Sequence, residues 1–217
     1  MSKPFHFYTE YNLPLLLGIK SSNIRNLLEN IRTVPDASIY YHTHRFLQQH
    51  HFLVPEPPND FAYWIRNVLN LTELGEATAS INIASLNNIN DVRQKLIKTI
   101  EDYSSKDSSQ ANCVKGTEFQ FMSCKTFCLP LDCHAKDLNE FAEQLESISI
   151  NTFYYHIFET QLRLGKNKND FADWFETLGY HELAKRVSSL DPYTTTLNGL
   201  REDILTLIKT YGSKSIK

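Results

Sequence analysis

Glycine is scarce in this chain. Seven glycines stand among 217 residues, and neither GxGxxG nor GxxxxGK[ST] occurs. The loops that cradle dinucleotides and nucleoside triphosphates need such glycines, so those two readings lose their main support. An excess of charge of one sign is also missing. The 22 Lys plus Arg against 25 Asp plus Glu give a formal net charge of -3. That balance leaves no electrostatic footprint for wrapping nucleic acid or an anionic membrane. No basic stripe with interleaved aromatics and no basic amphipathic helix appears either.

Long hydrophobic runs are lacking. The longest early one, Leu13 to Ile19, is too short for a membrane span and contains Pro14. The amino terminus has no basic segment leading into a longer apolar run, so a signal peptide is not expected. Cysteine is absent from the first half and confined to Cys113, Cys124, Cys128 and Cys133. Such clustering does not make a disulfide framework, and the chain reads as cytoplasmic with reduced thiols. What remains is an ordinary globular composition, 41% apolar and 22% charged, with an unusual stock of 13 Phe and 11 Tyr.

Self-comparison organises the chain. Ser38-Ile39-Tyr40-Tyr41-His42 returns as Thr152-Phe153-Tyr154-Tyr155-His156. Asn59-Asp60-Phe61-Ala62-Tyr63-Trp64 returns as Asn169-Asp170-Phe171-Ala172-Asp173-Trp174, which places both tryptophans in equivalent positions. The spacing, roughly 110 residues, is far longer than a solenoid repeat and implies two domain-sized copies about a pseudo-twofold axis. The first copy is read as residues 5–103 and the second as 119–211. Residues 104–118 between them, Ser-rich at their start, form a linker.

Each copy opens with alternating apolar residues, Phe5, Phe7 and Leu13 to Ile19, then Phe119, Phe121 and Phe127 to Leu131. The pattern predicts one or two short strands. Four or five helices follow. Asn23 is placed to cap a helix with Ile24, Leu27, Leu28 and Ile31 on one face, and Asp137 starts the matching segment, where Leu138, Phe141, Ala142 and Leu145 repeat the spacing. Ser38 to His51 reads as helix. Asp60 and Asp170 read as caps of the tryptophan helices. Glu73 to Ile81 and Val92 to Tyr103 complete the first copy, and Glu182 to Leu190 and Leu200 to Tyr211 the second. The fold class is therefore α+β, predominantly helical, as a tandem duplication.

The segments Tyr40-Tyr41-His42-Thr43-His44, Pro55 to Trp64 and Leu74-Gly75-Glu76 resemble a prokaryotic family of uncharacterised proteins. Phe153 to Glu159 and Leu190-Asp191-Pro192-Tyr193 extend the likeness over nearly the whole chain. The family is a domain of unknown function. The resemblance implies a bacterial or archaeal cytosolic protein of two copies, and supplies no activity or catalytic residue.

The candidate chemistry lies in the histidines. His42-x-His44 would chelate on a strand, where i and i+2 share a face, but on a helix the two rings point apart. His44 and His51, seven apart, share one helix face and are the metal candidates of the first copy, with His50 beside His51. Cys124, Cys128, Cys133 and His134 do not have the spacing of zinc hooks. No cofactor is indicated.

The first functional reading is a non-catalytic binding or regulatory module. It uses a groove between the copies lined by Tyr40, Tyr41, His42, His44, Asp60, Tyr154, Tyr155 and His156. Its partner is an unidentified protein or small molecule, with neither nucleic acid nor membrane expected. The alternative is a small-molecule enzyme, a metal-dependent hydrolase for instance, that uses His42, His44, Asp60 and His51.

Overall fold

The computed structural model describes residues 3–44, 59–83, 86, 88–104, 112–159, 168–190 and 195–212. Strand β1 spans Phe5–Ser21 and is followed by helices α1 (Ile24–Thr33), α2 (Asp36–Thr43), α3 (Asp60–Asn67), α4 (Thr72–Ala79) and α5 (Ile89–Ser104). Strand β2 spans Phe119–Ala135. After it come α6 (Leu138–Ser147), α7 (Ile150–Tyr154), a π-helical turn (Tyr155–Glu159), α8 (Asp170–Thr177), α9 (His181–Ser188) and α10 (Leu197–Gly212). The class is α+β, and the two strands pair in a two-stranded sheet.

Each leading segment is one strand of 17 residues, not one or two short ones. Pro14 does not break β1. A strand in a two-stranded sheet keeps one edge unpaired, and a residue without an N–H is tolerated there. Gly18 adopts a φ of 72°, a left-handed conformation that a side chain would strain.

The chain divides into two compact units. Among the described residues, the first takes the chain up to Tyr11 and from Thr126 onward, and the second runs from Asn12 to Lys125. The first unit thus completes the helices after β2 with the opening residues of β1. Phe5 and Phe7 are buried there with Phe141, Phe171, Trp174 and Phe175. The ring centroids of Phe5 and Phe171 are 5.5 Å apart, and those of Phe141 and Trp174 5.2 Å. In the second unit Phe119 and Phe121 enter the core of Leu27, Ile31, Ile39, Phe61 and Trp64, with Phe119 stacked on Phe61 at 5.0 Å. Each such buried ring contributes about 1.5–3 kcal/mol. Alternation along the strand puts Phe5 and Phe7, or Phe119 and Phe121, on one face, which is why these positions form the docking edge.

The helix starts have identifiable causes. Asn23 Oδ1 accepts from Asn26 N–H, and Asp137 Oδ1 accepts from the amides of Asn139 and Glu140. The first is the expected cap, and Asp137, read as the start of its segment, caps that helix as well. The tryptophan helices correct the expectation by one residue. Asn59 and Asn169 are the caps, accepting from Ala62 N–H at 2.8 Å and Ala172 N–H at 2.9 Å. Asp60 and Asp170 are the first helical residues. Their carboxylates are thereby freed to reach outward, and both are used elsewhere. The helix expected over Ser38 to His51 is described as α2 to Thr43, with His44 as its cap; the remainder, with His50 and His51, lies outside the described residues.

Helices α3 and α4 pack closely in the second unit. A Cβ on Gly75 would lie 2.6 Å from Cβ of Arg66, so the approach of these two helices requires a glycine there. Arg93 is buried on α5 and closes the end of α1. It donates to the carbonyls of Ile31 and Val34 and to Asp36 Oδ1, the latter two at 2.7 and 2.6 Å.

Candidate functional site

A strand edge carries amides that need partners. At the starts of both strands, these partners are side chains from the helices. His42, buried on α2, accepts the Met122 N–H at its Nε2 (2.9 Å) and places its Nδ1 2.8 Å from Asp60 Oδ2. His156 in the π-helical turn accepts the Tyr8 N–H at 2.9 Å and places Nδ1 2.9 Å from Asp170 Oδ2. The indoles add a second tie. Trp64 Nε1 donates to Thr117 O at 2.8 Å, and Trp174 Nε1 to Lys3 O at 3.0 Å.

These bonds fix the protonation pattern. An Nε2 that accepts from a peptide N–H carries no proton, so the proton sits on Nδ1 and is donated to the aspartate. Each imidazole is also enclosed by rings. Phe119 lies 4.7 Å from His42, and Phe5 lies 4.9 Å from His156. A general base needs a lone pair within reach of a substrate proton. Neither histidine presents one. The His–Asp pairs have the residue types of a catalytic dyad and the bonding of structural clasps.

The residues proposed for a groove fall into both units. Tyr40, Tyr41, His42, His44 and Asp60 belong to the second, and Tyr154, Tyr155 and His156 to the first. Tyr40, His42, His44, Tyr154 and His156 are buried, Tyr41 and Tyr155 are half-buried, and Asp60 is exposed. The sequence argument that His42 and His44 would diverge holds. His42 turns to Asp60, while His44 stacks on Tyr40 at 5.6 Å with its Nδ1 2.7 Å from Thr43 Oγ1. Burial drives the pKa of His44 down to about 3, so it stays neutral. This ring, one of the two metal candidates, is 1% exposed. The other candidate, His51, lies outside the described residues.

Tyr155 has an acidic surrounding. Burial raises its hydroxyl above the usual tyrosine range, and the Cys128 thiol it bonds and the carboxylates of Asp170 and Glu10 act in the same direction. Cys124 is buried, as expected for a thiol serving as a small apolar group, and Cys128 is exposed. Sequence reasoning missed the amide partners at Met122 and Tyr8, because a backbone group leaves no mark in a residue pattern. It also missed Arg93, whose role depends on where α1 ends.

Most of the exposed large apolar residues among the described ones lie on the strands; Tyr63 on α3 and Val114 ahead of β2 are the others. On the strands these are Tyr8, Tyr11, Phe127 and Leu129 in the first unit, and Leu13, Leu15 and Leu16 in the second. Leu16 is 65% exposed and Tyr11 62%. Tyr8 also lies 6.3 Å from Tyr155, ring to ring.

This α+β arrangement of long paired strands and clasping helices has a counterpart among solved structures. "The structure of OrfY from Thermoproteus tenax" matches with a TM-score of 0.82 and 26% identity, over 98% of this chain and 97% of that one. The chain belongs to a family of unknown function, DUF5752, whose model matches residues 2–209. No curated protein matches. Among the described residues, no helix is long and apolar enough to cross a membrane.

Proposed function

We propose that the chain is a non-catalytic binding or regulatory module that engages a protein partner through the exposed apolar positions of its strands. The observation that carries this reading is the exposure of Tyr8, Tyr11, Phe127 and Leu129 on the strand segments of the first unit. Several large apolar side chains left exposed on neighbouring strand positions commonly mark interaction surfaces. Tyr155, half-buried beside Tyr8, extends the surface in the first unit. The enzyme alternative has less to draw on, since His42 and His156 have both ring nitrogens engaged and His44 is sealed from solvent.

The same reading includes a duplicated origin, with copies at 5–103 and 119–211. The support is internal. Strands β1 and β2 have 17 residues each, α1 and α6 have 10, α3 and α8 have 8, and α5 and α10 have 16. The same His–Asp, His–amide and indole–carbonyl bonds recur in both units.

The test is affinity capture from a native lysate with the full chain and with Tyr11→Ser/Leu129→Ser. A specific protein retained by the first and lost with the second, at unchanged melting temperature, is the expected result. Equal capture by both, or none by either, overturns the reading.

A further inference from the structure

Two histidines outside the clasps meet at one end of the sheet. His6 is the second residue of β1, and His134 the next-to-last of β2. Both are in the first unit and exposed. Their ring centroids lie 5.9 Å apart with planes tilted by 32°. The flanking residues explain why both rings are presented. Phe5 and Phe7 point into the core, so strand alternation turns His6 to the opposite face. Ala135 is fully buried, and the same alternation turns His134 outward.

We propose that His6 and His134 form a two-histidine site for a divalent transition-metal ion of the zinc class. Imidazole is the commonest nitrogen ligand for such ions. Two imidazoles on one tetrahedral ion, with metal–nitrogen bonds of about 2.1 Å, have ring centroids about 5 Å apart. The observed spacing differs from this by less than 1 Å, roughly what a small χ rotation of an exposed side chain supplies. Among the described residues no three His, Cys, Asp or Glu side chains converge in a metal-holding group, and the site takes two ligands from those residues. Asp132, exposed two residues before His134 on the same strand face, adds negative charge near the cation. The ligands lie far apart in sequence, so a bound ion ties the start of β1 to the end of β2 and stabilises only the folded unit.

This inference is independent of the partner surface. Its test uses the full chain without a histidine tag, titrated with Zn²⁺ by calorimetry and in thermal melts. One ion per chain and a melting temperature that rises with Zn²⁺ are expected. His6→Asn and His134→Asn should each weaken binding at least tenfold, while His181→Asn, which alters another exposed histidine, leaves it intact. Melts in chelator check that all variants fold alike. Binding that survives both single substitutions, or no binding by the unaltered chain at millimolar Zn²⁺, overturns the site.

Discussion

His42 and Asp60, 18 residues apart in sequence, meet at 2.8 Å, and the histidine's other nitrogen holds the Met122 amide. The pair thus joins α2, α3 and β2 at one point. His156 and Asp170 join the corresponding elements of the first unit. The two aspartates differ in exposure, 50% for the Asp60 side chain and 15% for Asp170. Solvent screens the first bond more than the second. Double-mutant cycles should reflect this. The His42→Phe/Asp60→Asn cycle is expected to give about 0.2–1 kcal/mol. The His156→Phe/Asp170→Asn cycle should give more, about 1–3 kcal/mol. Denaturant unfolding measures both, and equal couplings would contradict the screening argument.

Hydrogen exchange reads the other half of each clasp. Phenylalanine at 42 keeps the ring and removes the acceptor, so the Met122 amide loses its partner. Its exchange should accelerate markedly in His42→Phe, while the Tyr8 amide, held by His156, keeps its protection. Loss of protection at both amides in that single variant would show that the clasps do not act locally.

Burial of His44 sets a pH dependence. Its pKa falls from 6.5 in the unfolded chain to about 3 in the folded one. Between those values the unfolded state binds the extra proton, so folding stability is full above pH 6.5 and declines as the pH drops toward 3. The slope from this one group is about 1.4 kcal/mol per pH unit. His44→Phe keeps a ring beside Tyr40 and removes the titration. Denaturant midpoints of the two proteins from pH 7 to pH 4 should therefore diverge. Parallel curves would mean that His44 is not kept neutral by the fold.

Gly75 tests the packing of α3 on α4. Alanine there would need Arg66 Cβ, 2.6 Å away, to move with its backbone. Overpacking of this kind costs about 1–3 kcal/mol, although alanine is the better helix former. A Gly75→Ala protein as stable as the original in thermal melts would refute the close approach.

The helical framework was legible in the sequence because its signals are local. Asn23 and Asp137 cap where their side chains can reach the next amides, and Ile24, Leu27 and Ile31 recur at helical spacing. Strand length was less legible. The apolar alternation marks where each strand starts and not how far it runs, and β1 continues through Pro14 to Ser21. The Tyr-Tyr-His and Asn-Asp-Phe-Ala motifs stood out in the sequence, yet their roles did not. The asparagine looked subordinate to the aspartate, whereas Asn59 caps the helix and Asp60 meets a histidine. The histidine's second partner is a backbone amide 80 residues away, a relation that no spacing within either motif encodes.

Arg93 carries the last prediction, because three chain segments meet in one guanidinium. It takes the carbonyls of Ile31 and Val34, at and just beyond the end of α1, and the carboxylate of Asp36 at the start of α2. A helix end leaves carbonyls without intrahelical donors, and burial here makes a protein donor necessary. The planar fork spans both carbonyls and the carboxylate at once, which a lysine ammonium on a single point cannot do. Arg93→Lys should therefore recover only part of the stability lost in Arg93→Met. The loss in Arg93→Met is expected at about 3–5 kcal/mol, since it strands buried acceptors. Asp36→Asn, whose side chain is 66% exposed, should cost under about 1 kcal/mol. Equilibrium unfolding of the three variants provides the ordering, and an Asp36→Asn loss as large as that of Arg93→Met would place the weight on the ion pair instead of the carbonyls.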